Sequence, residues 1–133
     1  MSEGTKSPQI LLVDDDPNIL KTLGLRLRAS GYGVITAADG EAALQSAVTF
    51  LPDLIILDLN LPKRLGYSVS RMLKLDARTK KIPILMLTAR SQGADIRLGV
   101  LTGASAYITK PFDSQELLDT VKQLLEASTI STE

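Results

Sequence analysis

Apolar residues in this chain arrive in short, unbroken blocks, and most blocks end on a residue that can do chemistry. Residues 10–13, 54–57 and 84–87 contain no polar side chain, and residues 34–37 and 106–108 form two weaker blocks. A block without polar alternation reads as a strand covered on both faces, which is the habit of parallel sheets. Between the blocks the apolar spacing changes to the helical period. Ile19, Leu20, Leu23 and Leu27 form one stripe, Ala43, Leu44, Ala47, Val48 and Leu51 a second, and Tyr67, Val69, Met72, Leu73 and Leu75 a third. A weaker fourth helix is predicted over 92–102, interrupted by Gly99 and ended by Gly103. The fifth turns Leu117, Leu118, Val121, Leu124 and Leu125 inward.

Punctuation between these elements is consistent with them. Asp16 before Pro17 suits the N-cap and first position of helix one, and Gly31 stops that helix. Asp39-Gly40 opens helix two, Pro62 ends the third strand, and Asp113 with Glu116 three positions on is a capping-box arrangement. Five βα units in strict alternation call for an α/β domain, a parallel sheet with helices on both faces joined by right-handed crossovers. Residues 1–8 are expected as a flexible lead-in, 9–127 as one domain and 128–133 as a polar tail.

Composition then removes function classes. The 133 residues hold 44% hydrophobic and 23% charged residues, ordinary for a globular domain with a real core. With no cysteine and no histidine there is no disulfide framework, no Ser-His-Asp triad, no thiolate or His-ligated zinc and no phosphohistidine on this chain. Lys plus Arg equals Asp plus Glu at 15 each, so the chain has no global basic field, and direct nucleic-acid binding is not expected. No run is long enough to span a membrane and the polar start lacks a signal-peptide core, so a cytoplasmic domain without membrane contact is expected.

The strand ends carry the candidate chemistry. Strand one ends in Asp14 and Asp15, strand three in Asp58, strand four in Thr88, and strand five runs into Lys110. Ligands of open α/β sheets bind outside the carboxyl ends of strands. Three carboxylates gathered there would repel unless a cation neutralised them. Mg2+ prefers such hard oxygens and keeps positions open for phosphate, which a lysine and a hydroxyl could meet from the other side. Taken singly, each residue has a plainer reading: Asp16 is a helix cap, Asp14 and Asp15 solvated loop acids, Asp58 a turn former, Thr88 a cap and Lys110 a solvated charge. Their joint complementarity is what favours a phosphoryl site.

Four stretches carry a family likeness: ILLVDDDP at 10–17, PDLIILDLNLP at 52–62, ILMLTAR at 84–90 and GASAYITKPF at 103–112. Together they resemble the signature blocks of the response-regulator receiver domain of two-component signalling, over about residues 8–127. The resemblance implies a flavodoxin-like doubly wound (βα)5 fold with strand order 2-1-3-4-5. It implies Asp58 as phosphoacceptor, taking a phosphoryl group from a sensor histidine kinase or a histidine phosphotransfer protein. Mg2+, with Mn2+ as the alternative, would be held by Asp14, Asp15, Asp58 and the backbone carbonyl of Asn60, Asp14 acting mainly through water. Lys110 would pair with Asp58 and then with the phosphoryl group, Thr88 would bond that group, and the small Ala89 would leave the site open. Tyr107 would swing as Thr88 moves, and Lys110–Pro111 would be a cis bond. The implied role is a signalling receiver rather than an enzyme, catalysing only its own phosphorylation and dephosphorylation.

Departures from the family pattern shape further expectations. Lys63-Arg64-Leu65 stands where the family usually has Gly-Met-Asp, which weakens the cap of helix three and sets two cations beside Asp58, read either as solvated charges, the plainer reading, or as contacts for a kinase or an acidic partner. Ser105 and Ala106 before Tyr107, with Asp119 and Lys122 in the last predicted helix, argue against the dimer face of regulators with a DNA-binding output. The expected state is a monomer or weak dimer that meets a downstream protein through the face of the fourth and fifth predicted helices and the fifth strand. Two rival classes are a Mg2+-dependent phosphohydrolase, for which Asn60 is no general acid, and a phosphate-independent module, for which a site residue should be missing.

Overall fold

The computed structural model describes residues 7–61, 65–88 and 103–131. Five strands, β1 (Gln9–Val13), β2 (Gly33–Ala37), β3 (Leu54–Asp58), β4 (Ile84–Thr88) and β5 (Ala106–Thr109), form one sheet in the order β2-β1-β3-β4-β5. Every neighbouring pair is parallel. The described helices are α1 (Pro17–Ala29), α2 (Gly40–Phe50), α3 (Gly66–Leu75) and α4 (Ser114–Ser131), the last being the fifth helix predicted from sequence. The helix predicted over 92–102 lies outside the described residues, as do Lys63 and Arg64.

Why these strands lack polar alternation is visible in their two-sided burial. Leu11, Val13, Ile55, Leu57, Ile84 and Met86 pack on one face with Ala43 and Ala47 of α2 and Val69 and Leu73 of α3. Ile10, Leu12, Leu54, Ile56, Leu85, Leu87 and Ile108 pack on the other with Leu23 and Leu27 of α1 and Leu117 and Val121 of α4. Successive residues of a strand point to opposite faces, so a strand roofed on both sides must be apolar throughout. Each such Leu or Ile contributes about 1.5–3 kcal/mol when fully buried.

Helix starts follow the expected chemistry. The Asp16 carboxylate accepts from the Asn18 N–H at 2.9 Å with Pro17 at the first helical position, and Asp39 accepts from Ala42 N–H at 2.8 Å. Asp113 accepts from Gln115 N–H at 2.9 Å ahead of α4. At α3 the N-cap is Leu65, which makes no side-chain capping bond, as its sequence foretold.

Three residues expected in the core are outside it. Leu51 is 54% exposed and ends α2 in the left-handed region at φ 46°, while Met72 and Leu75 are 41% and 72% exposed. Met72 and Leu75 fall about 100° and 160° away from Leu73 around the α3 axis, off the stripe that Val69 and Leu73 define.

Candidate functional site

β1, β3, β4 and β5 bring their C-terminal ends to one edge of the sheet. There the backbone is locked strand to strand: Asp14 N–H donates to the Ala37 carbonyl at 3.1 Å, Leu59 N–H to the Leu87 carbonyl at 2.9 Å and Lys110 N–H to the Thr88 carbonyl at 2.6 Å. Each loop leaves the sheet from a fixed point, so side chains far apart in sequence acquire defined separations.

Asp14, Asp15 and Asp58 each present a carboxylate oxygen, and the three oxygens lie within 4.8 Å of one another. Asp14 is fully buried, Asp58 nearly so, and Asp15 is exposed. The Lys110 ammonium reaches both buried acids, 2.9 Å from Asp14 Oδ2 and 3.4 Å from Asp58 Oδ1. Asp14 spends its other oxygen on the Asp16 N–H at 2.9 Å, and Asn60 N–H lies 3.4 Å from Asp58 Oδ1. Thr88 is buried at the end of β4, and the Lys110–Pro111 peptide bond is cis. Asn60 is exposed on the loop beyond Asp58. Ala89 lies outside the described residues, as does Arg90.

Electrostatics here follow from burial. Loss of water raises the Asp58 carboxyl above its ordinary value, the Asp14 charge raises it further, and Lys110 and the Asn60 N–H partly offset both. Burial also works against the Lys110 ammonium. Its hydrogen bond to Asp14 and the charges of Asp58 and Asp14 outweigh that and hold it above its ordinary value. Three carboxylates against one ammonium leave two negative charges, in a set of hard oxygen donors, and that combination fits a hard divalent cation.

Tyr107 on β5 has a buried hydroxyl with no hydrogen-bond partner among the described residues, and burial raises its phenol above the ordinary value. The sequence marked Tyr107 only through its neighbours. One contact that the sequence reading passed over is Gly66, the first residue of α3, whose N–H donates to the Leu59 carbonyl at 2.8 Å immediately behind Asp58. The only signal for it was a glycine between a proline-ended strand and an apolar helix.

A family model described as the response regulator receiver domain matches residues 10–122. The DNA-binding dual master transcriptional regulator RpaA of Synechocystis is 48% identical over 118 residues, which cover 89% of this chain and 49% of that protein. A putative response regulator from Chloroflexus aurantiacus, solved in the crystal, superimposes with a TM-score of 0.87 at 42% identity, covering 91% of this chain and 99% of that one. The receiver domain of a sensor histidine kinase from Pseudomonas aeruginosa, solved with magnesium coordinated in its active-site cleft, matches at a TM-score of 0.84 and 32% identity, covering 90% of this chain and 98% of that one.

The chain spans about half the length of the curated relatives it matches. That corrects one expectation. Absence of nucleic-acid contact was read from a charge balance, and a charge balance describes only the stretch over which it is taken. RpaA and the response regulator MtrA of Mycolicibacterium smegmatis, each about twice as long, are described as DNA-binding, so the neutral charge of this stretch does not exclude nucleic-acid contact. Among the described residues no helix is long and apolar enough to cross a membrane.

Proposed function

The chain belongs to the response regulator receiver domain family, and on that premise we propose that Asp58 is its phosphoacceptor in two-component signalling. The observation that carries the assignment is the position of the Lys110 ammonium between Asp14 and Asp58. That ammonium lowers the cost of setting a carboxylate nucleophile beside a second carboxylate. It also stands ready to meet the added phosphoryl charge.

The donor is a phosphohistidine on a sensor kinase or a histidine phosphotransfer protein, since this chain has no histidine. A carboxylate oxygen of Asp58 forms the new O–P bond as the N–P bond breaks, and the imidazole leaves with the bonding pair. Such transfers need in-line placement and charge neutralisation more than covalent help. Asp14, Asp15, Asp58 and the Asn60 backbone carbonyl would hold Mg2+, or Mn2+ in its place. The ion supplies further neutralisation of the phosphoryl oxygens. The Thr88 hydroxyl donates to the phosphoryl group and Ala89 leaves room for it.

Phosphorylation adds charge and strong acceptors at one strand end, and Tyr107 is the side chain that responds. Its buried hydroxyl, without a partner among the described residues, supports that role, because a phenol that leaves such a position for water gains a hydrogen bond. The receiver unit is residues 9–127, it works in the cytoplasm, and it catalyses only the gain and loss of its own phosphoryl group.

Intact mass after incubation with acetyl phosphate and Mg2+ tests the assignment. A gain of one phosphoryl group that requires Mg2+ and is absent in Asp58→Asn is expected. Phosphorylation of the variant to the same extent would move the acceptor elsewhere.

A further inference from the structure

We propose that Gly66 is a positioning residue for the metal-binding end of this site, required for its missing side chain and not for an unusual backbone angle. The inference rests on the reading of Asp14, Asp15, Asp58 and Asn60 as the metal-binding set.

Gly66 opens α3 and is buried. A Cβ placed on it would lie 2.5 Å from the Asp58 carbonyl oxygen, 2.8 Å from the Leu59 Cα and 3.1 Å from the Leu59 carbonyl oxygen. All three are backbone atoms, so no rotamer change could relieve the contact. Other glycines differ in this respect. A Cβ at Gly24 finds only the Arg28 guanidinium at 3.6 Å, and one at Gly33 meets only the Gln9 side chain. Gly31 and Gly103 take positive φ, whereas Gly66 does not.

The hydrogen bonding explains why the approach is so close. Leu65 gives α3 no side-chain cap, and the Gly66 N–H, one of the groups a helix start leaves unsatisfied, donates to the Leu59 carbonyl at 2.8 Å. The first turn of α3 is therefore seated directly on the peptide that joins Asp58 to Leu59. Asn60, whose carbonyl would face the ion, is the next residue. On the other side, Leu59 N–H is tied to the Leu87 carbonyl of β4. The stretch 58–60 is thus held between a strand and a helix, and a methyl group at Gly66 must separate it from one of them.

Mg2+ accepts little deviation from octahedral geometry, so a shift of a few tenths of an ångström in that backbone is felt first as lost metal affinity. The experiment measures the Mg2+ dissociation constant from amide shifts, and the melting temperature, for wild type, Gly66→Ala, Leu65→Asp/Gly66→Ala and Gly24→Ala. Leu65→Asp supplies the missing cap, so the double variant regains helix stability without regaining the close approach. The expected result is Mg2+ affinity at least tenfold weaker in Gly66→Ala, still weak in the double variant whose melting temperature has recovered, and unchanged in Gly24→Ala.

Equal Mg2+ affinity in wild type and Gly66→Ala overturns this inference alone. Recovery of affinity together with melting temperature in the double variant also overturns it, in favour of a purely structural glycine. Wild type that binds no Mg2+, or binds it equally after Asp58→Asn, overturns the metal-site reading and this inference with it. If Gly66→Ala does not fold on its own, Leu65→Asp/Gly66→Ala is compared with Leu65→Asp alone under the same criteria.

Discussion

Lys110 sits 2.9 Å from Asp14, a residue 96 positions away in the chain, and is closer to it than to Asp58 at 3.4 Å. Asp14 is completely buried, so without this partner its charge would face Asp58 with no ammonium between them. Lys110→Met is expected to lower stability at neutral pH and low Mg2+ by about 1–3 kcal/mol, less than a fully buried pair would lose because the ammonium keeps some contact with water. Mg2+ at ten times its dissociation constant should stabilise the wild type by about 1.4 kcal/mol. Denaturant melts of both proteins with and without Mg2+ check these values, and no loss in the variant would show the bridge to be energetically idle.

Tyr107 carries a buried hydroxyl without a partner among the described residues. Removing a polar atom that is desolvated and unbonded relieves a cost. Tyr107→Phe should therefore raise the stability of the unphosphorylated protein by about 1 kcal/mol. A drop of similar size on urea denaturation would mean that the hydroxyl is satisfied in solution.

Leu51 ends α2 at φ 46° with its side chain largely in water. A residue with a Cβ is strained in that region, and glycine is not. Leu51→Gly should stabilise by about 0.5–1 kcal/mol, the relief of strain outweighing the extra freedom of the unfolded chain. A lower denaturation midpoint for the variant would refute that balance.

Arg78 grips Asp76 with two side-chain bonds, Nη2 to Oδ2 at 2.7 Å and Nε to Oδ1 at 3.1 Å, and adds a backbone N–H at 2.8 Å. These bonds hold the Asp76 carboxyl down at about 2, against an ordinary 3.8. A carboxyl whose folded pKa is depressed contributes stability that is complete above the unfolded value and is lost as pH falls toward the folded one. Asp76 should titrate by NMR near pH 2 in wild type and higher in Arg78→Ala, though still below its ordinary value because the backbone N–H at position 78 remains. Asp76→Asn should remove its share of the pH dependence of stability below 3.8.

Much of the fold could be read because parallel strands roofed on both faces write themselves as polar-free blocks. β3 and β4, Leu54–Asp58 and Ile84–Thr88, begin and end within a residue of the apolar runs that announced them. The acids and the lysine were also readable, since strand ends in such a sheet must share an edge. What the sequence could not express were separations across the fold. Whether Lys110 leans toward Asp14 or Asp58 depends on side-chain packing among three loops, and the need for glycine at position 66 arises from a backbone eight residues earlier. Leu51 matched a helical stripe but lay just past the last turn, where the chain turns toward Pro52 and periodicity no longer applies. Charge balance could not exclude nucleic-acid contact, because relatives described as DNA-binding are about twice the length over which it was taken.

The two-sided core also limits how this site can vary between descendants of one ancestor. One residue inserted within β3 would turn every later side chain of the strand to the opposite roof and Asp58 away from Lys110. Two would restore the facing but carry the carboxylate about 6–7 Å along the strand, out of the ammonium's reach. Strand lengths are therefore frozen by parity and by distance together, and drift in chain length is confined to the connections between elements.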